Sequence, residues 1–372
     1  MKFVDAKCPN CGAVLKVDDS KEAAICEHCG SAFIVEKAIQ QFNITNVTNN
    51  NINAQTVNVY TKGSDFTIIA GTLTKYCGES SIVKVPNNVS KIAKGAFPFS
   101  VTEVYLPDSI TSIDPEAFSR RSATEKEAVY ISKYKNYFFP DLNVQKGIFE
   151  LKKIHMSANI KQIPNGLFSL ALYLQSITIQ SGTEKIGNAC FEGCVNLREI
   201  ALGNSISIIG SDAFRGCNLL KEVNLPASIT QIGISAFAYS GIMQINIPKN
   251  VILGDRAFEH CKNLTTVNIA EGIKGLSNTF VGDSKLAKIN IPHSVEVITY
   301  AFKYCTSLTK IFIPNNVKII SDLTFPDCQN LTIYCERKKP FWGQPQGWSE
   351  FWTEGCKKVI WNVSEEEYNK LP

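Results

Sequence analysis

Between about Leu174 and Leu331 the same order of apolar and polar positions recurs with small variations, as in LLKEVNLPASITQIGISAFAYSG, IMQINIPKNVILGDRAFEHCKN and LTTVNIAEGIKGLSNTFVGDSK. A Phe near the end of each phrase falls at 191, 214, 237, 258, 280, 302 and 325, in steps of 23, 23, 21, 22, 22 and 23. A period of this length predicts a solenoid, one coil per phrase. Each phrase opens on an alternating segment such as Glu222-Val223-Asn224-Leu225, in which Val223 and Leu225 face one way and their neighbours the other, so a strand with one buried face is expected there. Pro226 removes a backbone donor and ends that strand. Ile229 and Ile232 supply a second buried pair, Gly233 permits a bend, and Ala236-Phe237 closes the coil. One coil cannot cover its own apolar side, so neighbours must stack into a column of Phe beside a column of Ile and Val. Each column Phe is expected to contribute on the order of 3–5 kcal/mol against truncation to Ala.

The phrase resembles the BspA-type leucine-rich repeat, roughly L-x-x-I-x-I-P-x-S-V-x-x-I-G-x-x-A-F-x-x-C. The match is close over Leu220 to Phe237 and over Leu197 to Phe214, where Gly203 takes the usual Pro position. It is looser over Ile273 to Phe280, where Ile-Gly-x-x-Ala-Phe shortens to Leu-Ser-Asn-Thr-Phe. The resemblance implies a mainly β solenoid with a parallel sheet and short turns or 3-10 segments, over residues 63–331. It implies little about function, because members of the family bind varied partners.

The N-terminus carries a different pattern. Cys8, Cys11, Cys26 and Cys29 form C-P-N-C-G and C-E-H-C-G, and each Cys-x-x-Cys aims two thiolates at one point. Ala13 to Val17 alternates as a strand, Asp18 to Lys21 reads as a turn and Ala23 to Ile25 brings the chain back. Residues 1–41 therefore read as a zinc ribbon with an all-thiolate site. Four protein ligands leave no open position, so the expected cofactor is a structural Zn2+, worth roughly 10–16 kcal/mol of folding free energy. Five Lys against six acids over 1–41 give a net charge of −1, the wrong sign for a phosphate-binding surface.

Residues 42–62, rich in Asn and Thr, read either as a polar linker or as a β-segment that pairs with its copy in a homo-oligomer. Phe66 to Gly78 reads as a hairpin turning at Ala70-Gly71, and coils ending at Phe97 and Phe118 follow. The period breaks at 119–150, where Thr124 to Lys135 reads as a short helix, and resumes at Leu151. After Leu331 all four Trp gather in a tail, 332–372, expected to cover the last coil with a final strand over Lys358 to Val363. Ser364 with Glu367 predicts a capping box on a short closing helix.

Composition narrows the function classes. A net charge of +4 over 372 residues is too small for a nucleic-acid-coating surface. The start lacks the apolar run of a secretory signal, and no apolar stretch approaches 18 residues, so a cytoplasmic, membrane-free protein is expected. Of thirteen Cys, four form the metal quartet and Cys194, Cys217, Cys261, Cys305 and Cys328 recur three residues after a column Phe, where reduced, buried thiols fit. No phosphate loop, HExxH or nucleophile elbow is present, so no enzyme activity is expected. What remains is surface. Asn224, Asn246, Asn268 and Asn290 should form an amide ladder along the outward strand positions, flanked by Glu222, Gln244 and Lys288, and either brace one another or dock an extended peptide or protein. The reading is a non-enzymatic protein-protein interaction scaffold. Alternatives are a nucleic-acid-associated regulator with the ribbon as reader, and a surface adhesin.

Overall fold

The computed structural model describes residues 65–120 and 149–371 in full, together with the backbone of four N-terminal strands, Phe3–Lys7, Val14–Asp18, Ala23–Ile25 and Ala32–Ile34. The segment 42–62 and the helix expected over Thr124 to Lys135 lie outside the described residues. No helix among the described residues is long and apolar enough to cross a membrane.

The N-terminal strands form two antiparallel hairpins, Phe3–Lys7 with Val14–Asp18 and Ala23–Ile25 with Ala32–Ile34. The second and third strands do not pair with each other, although the turn read at Asp18 to Lys21 would join them.

From Phe66 the chain winds into a stack of coils. The opening hairpin pairs Phe66–Ile69 with Thr72–Tyr76. It turns on Ala70 (φ 47°) and Gly71 (φ 72°), the left-handed pair that a two-residue hairpin loop requires. Thr72–Tyr76 then pairs in parallel with Lys91–Ile92, so the hairpin feeds directly into the stack.

The coils build two parallel ladders. The front ladder runs from Ile82–Lys84 through Glu103–Tyr105, Lys153–His155 and Ser176–Thr178 to Glu199–Ala201. It resumes with Gln244–Ile247, Thr266–Ile269 and Lys288–Ile289, and again with Lys310–Ile313, Thr332–Cys335 and Lys358–Trp361. The side ladder carries Gln162–Ile163, Lys185–Ile186, Ile208–Ile209, Gln231–Ile232 and Ile252–Leu253, then restarts with Gly275–Ser277, Val297–Thr299 and Ile319–Ile320. Because Glu103 pairs with Lys153, the front ladder crosses the 119–150 interruption unbroken.

The segment Glu222 to Leu225 is not a strand, although Val223 is buried between exposed neighbours as its alternation requires. The corner before Glu222 takes eight residues from Phe214 and the next takes seven from Phe237 to Gln244. Glu222 to Leu225 therefore stands between corners of unequal length. Gly233 also differs from expectation. It has an ordinary φ, and its value is the missing Cβ, which would stand 2.4 Å from the Ser211 nitrogen of the preceding coil. Gly210 and Gly254 approach the preceding coil in the same way.

The Phe column forms as the period predicts. Phe168, Phe191, Phe214, Phe237, Phe258, Phe280, Phe302 and Phe325 are each fully buried. Their rings stack face to face, with centroids 5.1 Å apart at Phe191–Phe214 and at Phe214–Phe237. At the N-terminal end Phe97 stacks on Phe118, and Phe118 on Phe149. Corners close through i to i+3 bonds of the 3-10 kind, such as Cys194 N–H to Phe191 O at 3.1 Å.

A third set of bonds holds the Phe side together. Two residues before and two after the column Phe the backbone is left-handed, as at Asp212 (φ 55°) and Gly216 (φ 73°) around Phe214. The alternation turns every second N–H toward the next coil: Asp212, Phe214 and Gly216 donate to the Ile234, Ala236 and Ala238 carbonyls at 2.8, 2.7 and 2.9 Å. Non-glycine residues accept this conformation, at a cost of about 1–2 kcal/mol each, because the bonds and ring packing over-determine it.

Candidate functional site

Three places offer chemistry: the buried thiol column inside the stack, the outward row of the front ladder, and the C-terminal cap.

Three residues after the Phe, each repeat Cys turns inward and donates its S–H to the carbonyl of the column Phe one coil back. Cys194 reaches Phe168 O at 3.1 Å, Cys217 Phe191 O at 3.2 Å, Cys261 Phe237 O at 3.1 Å, Cys305 Phe280 O at 3.2 Å and Cys328 Phe302 O at 3.3 Å. A small apolar side chain with one weak donor fits a buried corner that offers one carbonyl. Burial pushes the Cys194, Cys217, Cys261 and Cys305 thiols well up, and Cys328 up to about 12. Thiols held protonated in this way are poor nucleophiles. The same column position holds Ser240, whose hydroxyl lies 3.4 Å from the Cys261 sulfur, and Asp283.

The front row has three zones. Toward the N-terminus Tyr105 and His155 stack with ring centroids 4.0 Å apart, His155 Nε2 lies 3.2 Å from Glu103 Oε1, and Lys84 sits over the Tyr105 ring. Hydrogen bonding to Tyr105, then to His155, holds the Glu103 carboxyl below its ordinary range. Glu103 and His155 are some fifty positions apart, and only the pairing across the interruption joins them, so nothing in their spacing along the chain marks the cluster.

The middle zone is the amide row. Asn246 and Asn268 pair across the ladder, and the Asn268 amide donates to the Asn246 carbonyl oxygen at 2.7 Å. The ladder of four is not continuous. Asn290 turns to the Ile269 backbone, accepting from its N–H and donating to its carbonyl, both at 2.8 Å, because Lys288–Ile289 ends before it. Asn224 lies in the segment that is not a strand. Glu222, Asn224, Gln244, Asn246, Asn268, Lys288 and Asn290 are all exposed.

The third zone is covered. Phe312, an outward position by alternation, is only 4% exposed, because the closing helix Glu365–Asn369 lays Tyr368 over it and over Tyr334 at 5.3 and 5.5 Å. Lys310 Nζ donates to the Leu371 carbonyl at 2.7 Å, and His293 stands between Glu336 and Glu365. The helix starts on the capping box expected of Ser364 and Glu367. Trp348, Trp352 and Trp361 close the last coil as a cluster, with Trp348 and Trp352 buried. Trp342 does not join them and is 83% exposed.

Cys8, Cys11, Cys26 and Cys29 lie outside the described residues. Among the described residues no group of three or more His, Cys, Asp or Glu is placed to hold a metal. His155, His260 and His293 belong to three separate surroundings, with His260 stacked on Tyr239.

No curated protein matches the chain. Among solved structures it is similar to a leucine-rich repeat protein from Bacteroides ovatus, with 20% identity over 83% of this chain and 90% of that one (TM-score 0.36). It is similar to the pneumococcal vaccine antigen PcpA, with 15% identity over 84% and 86% (TM-score 0.44). A leucine rich cell surface protein from Faecalibacterium prausnitzii matches at 19% identity over 83% and 96% (TM-score 0.32). The BspA type leucine rich repeat region matches residues 67–143, 143–253 and 250–338, in six copies. With its repeats, its Phe column and its parallel ladders accounted for over most of its length, the chain belongs to the BspA type leucine rich repeat family.

Proposed function

We propose that the chain is a non-enzymatic scaffold that binds a protein or extended peptide on the front row of its solenoid, with a structural zinc ribbon at its N-terminus. The observation that carries this reading is the division of the coil surface. The apolar positions of the front ladder are buried, while its outward positions from Glu103 to Asn290 form an accessible row that ends where the closing helix begins. Parallel strands about 4.8 Å apart set the outward side chains of neighbouring coils at a regular spacing, and each amide among them supplies both donor and acceptor. The buried thiols support work in a reducing compartment, in keeping with a cytoplasmic protein.

A photo-crosslinking residue at Gln244 should trap a partner in cells, whereas one at Lys161, exposed beside the side ladder, should not. Absence of an adduct at Gln244, or equal adducts at both positions, would sink the proposal. Asn246→Ala with Asn268→Ala should abolish the Gln244 adduct.

The zinc proposal rests on the two N-terminal hairpins. Lys7 pairs with Val14 and Ile25 with Ala32, so each pairing closes a six-residue segment that contains one Cys-x-x-Cys. Such a donor set suits a closed tetrahedral site in which the metal orders the fold and leaves no position for substrate. The purified chain should hold one equivalent of Zn2+, and Co2+ exchange should give the charge-transfer bands of a four-thiolate site. Cys8→Ser should lose both without altering the solenoid's urea transition.

A further inference from the structure

Four features coincide at the coil that carries Phe280. The side ladder stops at Ile252–Leu253 and restarts at Gly275–Ser277. The phrase changes at this step: the preceding coil reads Leu253-Gly254-Asp255-Arg256-Ala257-Phe258 and this one, a residue shorter and with Ser in place of the Gly, Leu276-Ser277-Asn278-Thr279-Phe280. Ser277 and Asn278 bond to the Asp255 carboxylate, both at 2.9 Å. A cleft of about 260 Å³ opens between the two strands, lined by Ile252, Leu253, Ile273 and Leu276. The Phe column loosens at the same level, to 5.9 Å on both sides of Phe280. Finally, the thiol column is broken here by Asp283, fully buried, with neither carboxyl oxygen hydrogen-bonded.

The groups facing Asp283 offer it no counter-charge. The Cys261 thiol and Glu259 lie on the preceding coil and the Cys305 thiol on the following one. Glu259 is itself pushed up by burial, only partly offset by Arg256 and Arg215. The His260 ring, packed against Gly282, is held toward its neutral form by burial. Burial drives the Asp283 carboxyl well above the carboxylate range, and the nearby Cys261 backbone offsets this only in part. As the protonated acid, Asp283 is a small neutral side chain like the cysteines it replaces. As the carboxylate it is an uncompensated buried charge.

We propose that the coil of Phe280 is a joint at which the solenoid opens when Asp283 loses its proton. In a stack whose coils contact only their neighbours, such an opening stays local and leaves the coils on either side folded. The sign follows from linkage: a carboxyl that holds its proton more tightly in the stacked state favours stacking at low pH, and that advantage is lost as pH rises through its stacked-state pKa. One proton leaves per opening, so the opening constant should climb by up to about tenfold per pH unit, then level off once the carboxyl is ionised in the stacked state as well.

The buried thiols report on this without any added probe. The full chain is treated with N-ethylmaleimide from pH 5 to 9, and labelling at Cys261 and Cys305 is divided by labelling at Cys194 and Cys217, which cancels the intrinsic reactivity of a thiol with pH. The ratio should rise with pH in the wild type and stay flat in Asp283→Asn. Asp283→Ser, which copies the Ser240 found at the same position of another coil, serves if the amide variant does not fold. A ratio that is flat in the wild type, or climbs equally in the variants, overturns the proposal.

Discussion

The coil of Phe214 and the coil of Phe280 are two versions of one phrase, and three of their differences bear on packing. The first keeps the close-approach Gly210, an Ala before the Phe and a Cys three residues after it. The second has lost the glycine and carries Thr279 and Asp283 instead. Both bury their Phe completely, yet the first packs at 5.1 Å with its side ladder intact and the second at 5.9 Å beside a cleft. Stacking therefore depends on the small residues around the Phe as much as on the ring. The ring supplies apolar area, while the residues around it bear on how closely one coil can approach the next.

A short series of substitutions would break or sharpen that comparison. The largest effect is expected from Phe214→Ala, which should cost about 3–5 kcal/mol in a urea titration, with Phe280→Ala at the low end of that range because its neighbours already stand farther apart. Equal losses at the two positions would mean that ring spacing does not measure packing. Exchanging the small residues comes next. Cys217→Asp should destabilise by about 2–3 kcal/mol at pH 7 and bring in a loss of stability with rising pH. Asp283→Cys should stabilise by about 1–3 kcal/mol and flatten the pH dependence of the melt. The smallest shift is expected from Ser240→Ala, about 1 kcal/mol or less, since it removes a hydroxyl that meets the Cys261 sulfur. A larger loss there would show that the column depends on its polar contacts.

Much of this was legible along the chain because a solenoid repeats its contacts. Phe191, Phe214 and Phe237 recur at the period, and Cys194 and Cys217 follow at a fixed offset, so one buried environment could be read many times over. The opening hairpin and the Ser364–Glu367 cap were equally local, each resting on a few adjacent residues. The shortened phrase before Phe280 was visible too, although the gap in the side ladder at that level appears only in the pairing of the strands.

The candidate surface was less legible, because it is made where coils meet. The order of apolar positions determined by itself that this chain is a stacked β-solenoid with a Phe column, since repeated apolar faces of that size have nowhere to go but onto one another. Only the tertiary structure decided which outward residues are free. Register placed His155 on Tyr105 across fifty positions, turned Asn290 away from its amide neighbours, and brought Tyr368 down over Phe312. Those outcomes are set by contacts between coils and by the returning C-terminus, which depend on distances in space that the local alternation of side chains does not encode.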